Sequence, residues 1–481
     1  MKITFVGHAS ILVEAGGVTV LSDPWWRGPC FGAQWWTFPL PYSQALDTVK
    51  LDYIYISHGH HDHLHAGTLR TLDKRAKVLV SNRLDLAKSI RELGFEVIEV
   101  ADDEARALGG GLSCRIMETH AGDTLMTLSD GHEVCLNIND ALHSAGDAVQ
   151  RDFVARLRAL HPRIDYAFCG YGIASHFPNC YVIPGKDREA TAARRQQYFN
   201  RQWVHLIEQL QPRFGFPFAA DVVFLERDLF WANEVVHNAE RPTAVFESMY
   251  PGLPVVVKDI APGFVIDAGV VVSDVLRKPV RAAELSTVCA EQIDRANRYG
   301  SVDDEGVAQV AELLEGQLRA CGDYLRSFEG DYRFLIRLRN SDRGIVVQKR
   351  GDALSVAARQ PAPDERFEVI YTTRLAYLRW ALTQPFGDEI LFVGSGGIFE
   401  FPDQATARTN IHRELVDLIR KRQGPTRQRR GAVSQLKLSA KQIVKRMLRR
   451  SPDVDLYDVV DWTVFDRASP ASEAETTDMR Q

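Results

Sequence analysis

The sequence is poor in paired cysteines and in long apolar runs, and one late stretch, 420–450, has no acid at all. Seven cysteines (Cys30, Cys114, Cys135, Cys169, Cys180, Cys289 and Cys321) are scattered through 481 residues, and none forms a Cys-x-x-Cys pair. That argues against a disulfide scaffold and a cysteine-type zinc finger, and fits a reducing cytosol in which each thiol packs as a small hydrophobe. No stretch approaches the uninterrupted apolar run of about 18 residues that a membrane-crossing helix needs. Met1–Gly7 runs straight into a strand-like pattern without the apolar core and cleavage site of a secretory leader, so a cytoplasmic protein is expected. The 58 Lys and Arg nearly balance the 63 Asp and Glu, and the net charge of −5 points to no nucleic-acid partner. Arg420 to Arg450 departs from this balance, with twelve Lys or Arg and no Asp or Glu.

What is present is a long globular chain, enough for two or three domains. Residues 1–258 alternate strand-like and helical patterns and predict a layered α/β domain. Its strand candidates include Ile3–Val6, Ser10–Glu14, Thr19–Ser22, Tyr53–Ser57, Lys77–Ser81, Glu96–Val100, Leu125–Leu128, Glu133–Ile138 and Tyr166–Gly170. The spacing predicts a helix over Thr191–Leu210, stopped by Gln211-Pro212. Residues 259–330 read as a helical connector, clearest at Ala282–Arg298 and Val307–Cys321. Residues 331–419 read as a small α+β domain, with strands at Tyr332–Arg339, Gly344–Lys349, Leu354–Ala358, Arg366–Tyr371 and Glu389–Val393. Residues 420–450 form a basic amphipathic segment with Leu436, Ala440, Ile443, Val444, Met447 and Leu448 on one helical face. It suits an anionic membrane surface or a partner protein, or equally a solvated helix packed on its own domain. The tail Arg467–Gln481 is polar and rich in small residues, and 451–481 is expected to be mostly disordered.

The chemistry concentrates in Ser57–His65, where five histidines and one carboxylate fall within nine residues just past a buried strand pattern. Neutral imidazoles crowded beside a carboxylate suit a divalent cation, Zn, Fe or Mn, because nitrogen and oxygen donors are good ligands for these ions. In the order His58, His60, Asp62, His63, the first two can converge on one ion. Asp62 and His63 can face a second, or Asp62 can serve as a base on a metal-bound water. His120, just before Leu125–Leu128, stands where a third histidine of the first ion would come. Asp140, directly after an apolar strand, can bridge two cations or cap the next helix. His8 and Asp23 also follow early strands and can orient a ligand imidazole or pack as ordinary buried groups.

The H-x-H-x-D-H order resembles the signature of the metallo-β-lactamase superfamily. A closer resemblance is to the CMP-N-acetylneuraminate hydroxylase family. It is carried by Asp23-Pro24-Trp25, Gly28–Trp36, Tyr53–His58, Gly172–Pro178, Leu210–Arg213, Pro217-Phe218-Ala219 and Gly387–Ile390, and it covers most of residues 1–400 at a remote level. The resemblance implies an αββα sandwich followed by a helical segment and a small α+β domain. It implies His58, His60, Asp62, His63, His120 and Asp140 as ligands of two divalent ions. The superfamily's last ligand is a histidine shortly after the Pro-Phe-Ala segment, and here no histidine comes before His237. Glu226 is the candidate substitute by position, with Asp221 and His176 as rivals, and a carboxylate there would favour Fe or Mn over Zn. The hydroxylase family also carries a Rieske domain with two Cys and two His ligands. No such pairs occur here, so a built-in electron supply is not expected.

The expected activity is hydrolysis of a small anionic molecule by a metal-bound hydroxide, with Asp62 or Asp140 holding the nucleophile. Arg188, Arg194 and Arg195 are candidates for binding the anion. A di-iron oxygenase supplied with electrons from elsewhere, and a metal-stabilised binding module, are the competing expectations.

Overall fold

In the computed structural model of the protein, residues 1–119, 123–143, 145–172, 176–325, 330–351, 353–384 and 386–420 are described. The expectations for 451–481, and for 420–450 beyond Arg420, lie outside the described residues. The chain divides into two compact units, Met1–Ala174 with Ala192–Ala296, and Ser175–Thr191 with the residues from Asn297 onward.

Two sheets build the first unit. One has the order Val270–Ser273, Val265–Asp267, Lys2–Gly7, Ser10–Ala15, Val18–Ser22, Tyr53–Tyr55, Lys77–Ser81, Glu96–Val100. The other runs Val256–Val257, Phe214–Phe218, Tyr166–Gly170, Val134–Asn139, Thr124–Ser129, Leu112–Glu118, Arg106–Gly109. Alternation along each strand sends neighbouring side chains into different layers. Ile3, Phe5, Ile11, Val13, Tyr55 and Leu79 of the first sheet meet Met126, Leu128, Tyr166, Phe168 and Phe216 of the second between the sheets. Their neighbours Val6, Leu12, Ile54, Val78 and Val80 pack outward against Leu69, Leu86 and Ile90. On the far side, Leu125, Leu136, Ala167 and Cys169 pack against Val154 and Leu157 of the helix Asp147–Leu160 and against Trp203 and Ile207 of the helix Arg188–Leu210. This is the expected αββα sandwich. Strands apolar on both faces suit sheets covered on both sides. At about 1.5–3 kcal/mol for each large apolar side chain fully buried, the three layers make a stiff base for the loops at the strand ends.

The second unit has a six-stranded sheet in the order Tyr181–Val182, Gly397–Glu400, Val369–Thr373, Tyr332–Leu338, Gly344–Arg350, Ala353–Arg359. Helices Asp304–Leu325, Leu375–Thr383 and His412–Arg420 belong to the same unit, and the first of them packs on the sheet.

Three expectations change. Glu389–Val393 is a helix over Glu389–Phe392 rather than a strand; a short run of apolar residues buried on all sides does not distinguish the two. The stretch read as a helical connector contains the strands Val265–Asp267 and Val270–Ser273, and the former pairs with Lys2–Gly7. That pairing spans the length of the unit and leaves no local signal. The first unit therefore runs on to Ala296 instead of ending near 258. No helix among the described residues is long and apolar enough to cross a membrane. The six described cysteines are all buried.

Candidate metal centre

Lys2–Gly7, Val18–Ser22 and Tyr53–Tyr55 of one sheet and Val134–Asn139 of the other end on a common rim. The residues that follow them are His8, Asp23, the Ser57–His65 loop and Asp140. His8, Asp23 and Asn139 all have positive φ, at 48°, 34° and 42°. Such backbone is costly outside glycine and persists only where the surroundings enforce it.

Asp23 fastens the loop. Its backbone N–H donates to Tyr55 O at 2.9 Å, its Oδ1 accepts from Ser57 N at 2.8 Å, and its Oδ2 accepts from Ser57 Oγ at 2.7 Å. The same Oδ2 lies 3.0 Å from His63 Nδ1. A carboxylate there takes the Nδ1–H and turns Nε2 toward Asp62 and Asp140, the usual way an outer partner orients a ligand imidazole. His63 Nε2 is buried without a hydrogen-bond partner, at 3.6 Å from Asp62 Oδ2 and 3.4 Å from Asp140 Oδ2. Asp140 is held from behind, its N–H donating to Asn139 Oδ1 at 2.7 Å and its carbonyl accepting from His143 Nδ1 at 2.8 Å.

His58 Nε2 faces His60 Nδ1 at 2.8 Å. Asp62 Oδ1 and His8 Nδ1 are also buried without hydrogen-bond partners, while His8 Nε2 lies 3.1 Å from Asp62 Oδ2. Two donor groups result, His58 with His63 and Asp140, and His8 with Asp62 and His63; in each, all ligand atoms lie within 4.8 Å of one another.

The charges follow from this packing. Burial pushes the His58 imidazole well below the ordinary histidine range, and His63 and His60 push it the same way. Burial also disfavours a charged His63, but Asp62, Asp23 and Asp140 together outweigh it and hold its pKa well above the ordinary value. Burial raises Asp62 and Asp140, yet the neighbouring histidines, His63 first, bring both far below the usual carboxylate range. Orphaned nitrogens and oxygens, two nitrogens aimed at each other and two ionised carboxylates in one buried place fit a divalent cation held by nitrogen and oxygen.

The rim thus gathers His58, His60, Asp62, His63 and Asp140. His120 lies outside the described residues. Glu226 is buried just after Val222–Phe224 and belongs to neither donor group. Its rivals are engaged elsewhere. Asp221 is paired with Arg241 and Arg277, and His176, in the second unit, lies 2.8 Å from Phe392 O and 3.1 Å from the Tyr181 hydroxyl. His61 stacks on Phe31, and His65 Nδ1 accepts from Thr68 N–H as a helix cap. Trp25 is wholly buried against His8, with ring centroids 5.0 Å apart. Arg195 is buried with its guanidinium over Phe199, whose ring packs on His143. Arg188 donates to Asn179 O in the second unit.

Sequence reasoning missed two residues here. His143 stands one helical turn after Asp140, a spacing that could have marked it. Asp123 is buried, its carboxyl raised by desolvation and opposed by His60, and its short loop carried no pattern.

Residues 2–137 match the family profile of the beta-lactamase superfamily domain. A protein of Mycobacterium tuberculosis, provisionally named a Rieske 2Fe-2S iron-sulfur protein, is 26% identical over 405 residues, covering 76% of this chain and 75% of its own length. The cytidine monophosphate-N-acetylneuraminic acid hydroxylase of Asterias rubens is 42% identical over 76 residues, 16% of this chain and 12% of the hydroxylase. Among solved structures, Igni18, a metallo hydrolase from Ignicoccus hospitalis, is 18% identical with a TM-score of 0.37, covering 55% of this chain and 97% of Igni18.

Proposed function

We propose, from the premise that residues 2–137 form a beta-lactamase superfamily domain, that the protein is a metal-dependent hydrolase with two cation positions, acting on a small anionic substrate. The observation that carries this reading is the pair of buried donor groups that share His63 and leave lone pairs aimed at common space. In this reading His58, His60 and His120 with Asp140 hold one divalent ion, and Asp62, His63 and Asp140 hold the other.

Bound divalent cations supply Lewis acidity and bring the pKa of a coordinated water toward neutrality. Asp23 keeps the Nδ1–H of His63 engaged, so that Nε2 stays directed inward. Asp62 and Asp140, both held ionised, would hold the cations and orient the attacking water through their free oxygens. Arg194 and Arg195, on the helix Arg188–Leu210, supply the positive charge that draws an anion. The test is a panel of lactones, carboxylic esters and phosphodiesters, assayed before and after chelation. Cleavage that survives complete removal of metal sinks the reading.

A second reading, oxygenation at two irons, is favoured by the hydroxylase match and by the name of the mycobacterial relative. It needs electrons from a separate donor. Aerobic purification with metal analysis and an optical spectrum separates the two. Zinc without near-ultraviolet oxo-bridge absorption removes the oxygenase, and two irons per chain weaken the hydrolase.

A further inference from the structure

The second cation position, as drawn above, has three donors: Asp62, His63 and Asp140. A catalytic cation also keeps a position for water; the sequence places one more protein donor after Phe214–Phe218, and the residues there offer none among the described donor groups. Asp221 is bound by two arginines, and Glu226 stands outside. We propose that His8 is the missing donor, closing the second cation position through its Nε2. This rests on the two-cation reading above.

Three observations carry the assignment. His8 Nε2 sits 3.1 Å from Asp62 Oδ2, and His8, Asp62 and His63 form one of the two buried donor groups. Metal–ligand bonds of about 2.0–2.2 Å put neighbouring donor atoms roughly 3.0–3.5 Å apart, from octahedral to tetrahedral arrangement. Within that group the separations of 3.1 Å for His8–Asp62 and 3.6 Å for Asp62–His63 are on that scale, while Asp140, 3.4 Å from His63, belongs to the other group and would bridge from it. His8 is also held where it is. Its backbone takes a left-handed conformation at φ 48°, its carbonyl accepts from Ala219 N at 3.1 Å, and its ring meets Trp25 edge-on. The bond from Ala219 ties His8 to the end of Phe214–Phe218, so the strand end that offers no donor of its own lies beside one that does.

The consequence concerns the metal. A neutral imidazole in place of a carboxylate gives the second position two nitrogens and two carboxylates, a set that suits zinc as readily as iron. The expectation of a harder site built on Glu226 then lapses.

The test is equilibrium dialysis of the full chain against Zn(II), with metal counted by mass spectrometry, and Co(II) loading followed by its visible spectrum. Wild type is expected to hold two ions. His8→Ala and His8→Gln are expected to keep one ion at wild-type affinity and to weaken the other at least about 100-fold, beyond the range of an outer partner, with loss of one Co(II) band set. His60→Ala is expected to weaken the opposite ion. Two ions at wild-type affinity in His8→Gln, whose amide can still bond Asp62, overturn the proposal and leave His8 a positioning residue. Wild type that binds no ion overturns the two-cation reading itself. Should His8→Ala fail to fold, His8→Asn, which tolerates the same backbone conformation, carries the same expectation.

Discussion

The first unit contains two buried clusters of ionisable groups, and they solve the burial of charge in different ways. Behind the strand end at Phe218, Arg241 donates to Asp259 at 2.7 and 2.9 Å and to Asp221 at 3.2 Å, and Arg277 donates to Asp221 at 3.2 Å. Tyr171 donates to Asp221 at 2.9 Å, while His237 accepts from Arg277 at 2.5 Å and donates to Val222 O at 2.9 Å. Every one of these donors meets an acceptor inside the protein. At the rim, His58 Nε2 and His60 Nδ1 hydrogen-bond only to each other, at 2.8 Å, and His63 Nε2, His8 Nδ1 and Asp62 Oδ1 have no hydrogen-bond partner. A self-satisfied network stabilises a fold; an unsatisfied one at the strand ends is arranged for something that arrives from outside.

Changes at each cluster should therefore separate function from stability. The largest effect is expected from His58→Ala, which should lower activity and the affinity of its ion at least about 100-fold, above what an outer partner commands, with melting in chelator unchanged; turnover and metal titration check it. Next comes Arg241→Met. It strands Asp259, leaves Asp221 to Arg277 and Tyr171 alone, and should cost about 3–5 kcal/mol of unfolding free energy, leaving metal stoichiometry intact. Urea denaturation of the loaded protein reads it, and loss of metal without loss of stability would break the comparison.

A smaller effect is expected from Asp23→Asn. The amide can still accept from Ser57 but holds His63 less firmly, so metal affinity should fall about 10–100-fold with little change in melting. The smallest is a pH dependence. Burial, aided by Arg277 and opposed by Asp221, holds His237 down at about 4 against an ordinary 6.5. Burial likewise holds His65 at about 4. The unfolded chain takes up protons at both positions between those values and the folded chain does not. Stability should thus be full above about pH 6.5 and fall as pH drops toward 4. Melting temperature against pH in chelator checks the sign, and a rise on acidification would contradict it.

Much of the rim was legible in the sequence because four of its groups lie within six residues, after a strand whose pattern is plain. The strands at Ser10–Ala15, Lys77–Ser81 and Glu96–Val100 were legible for the same reason, that their alternation is local. His8 and Asp23 were visible only as candidates. Their place beside His63 depends on Lys2–Gly7, Val18–Ser22 and Tyr53–Tyr55 ending on one rim, which is a matter of strand order. The arginine network was not legible at all. Tyr171, Asp221, Arg241, Asp259 and Arg277 come from five separate segments, and nothing in any one of them distinguishes a buried ion pair from a solvated charge. Glu226 was legible as a candidate by its position after Pro217-Phe218-Ala219, and it belongs to neither donor group.

The central claim is that the rim cluster is built around divalent cations. Its most direct test is the metal content of the full chain, dialysed to equilibrium with Zn(II) and counted per polypeptide. The account predicts two ions in the wild type, with a melting temperature several degrees above the chelated protein, as ligand linkage requires. No bound ion, with the same melting temperature in the presence and absence of metal, would contradict it.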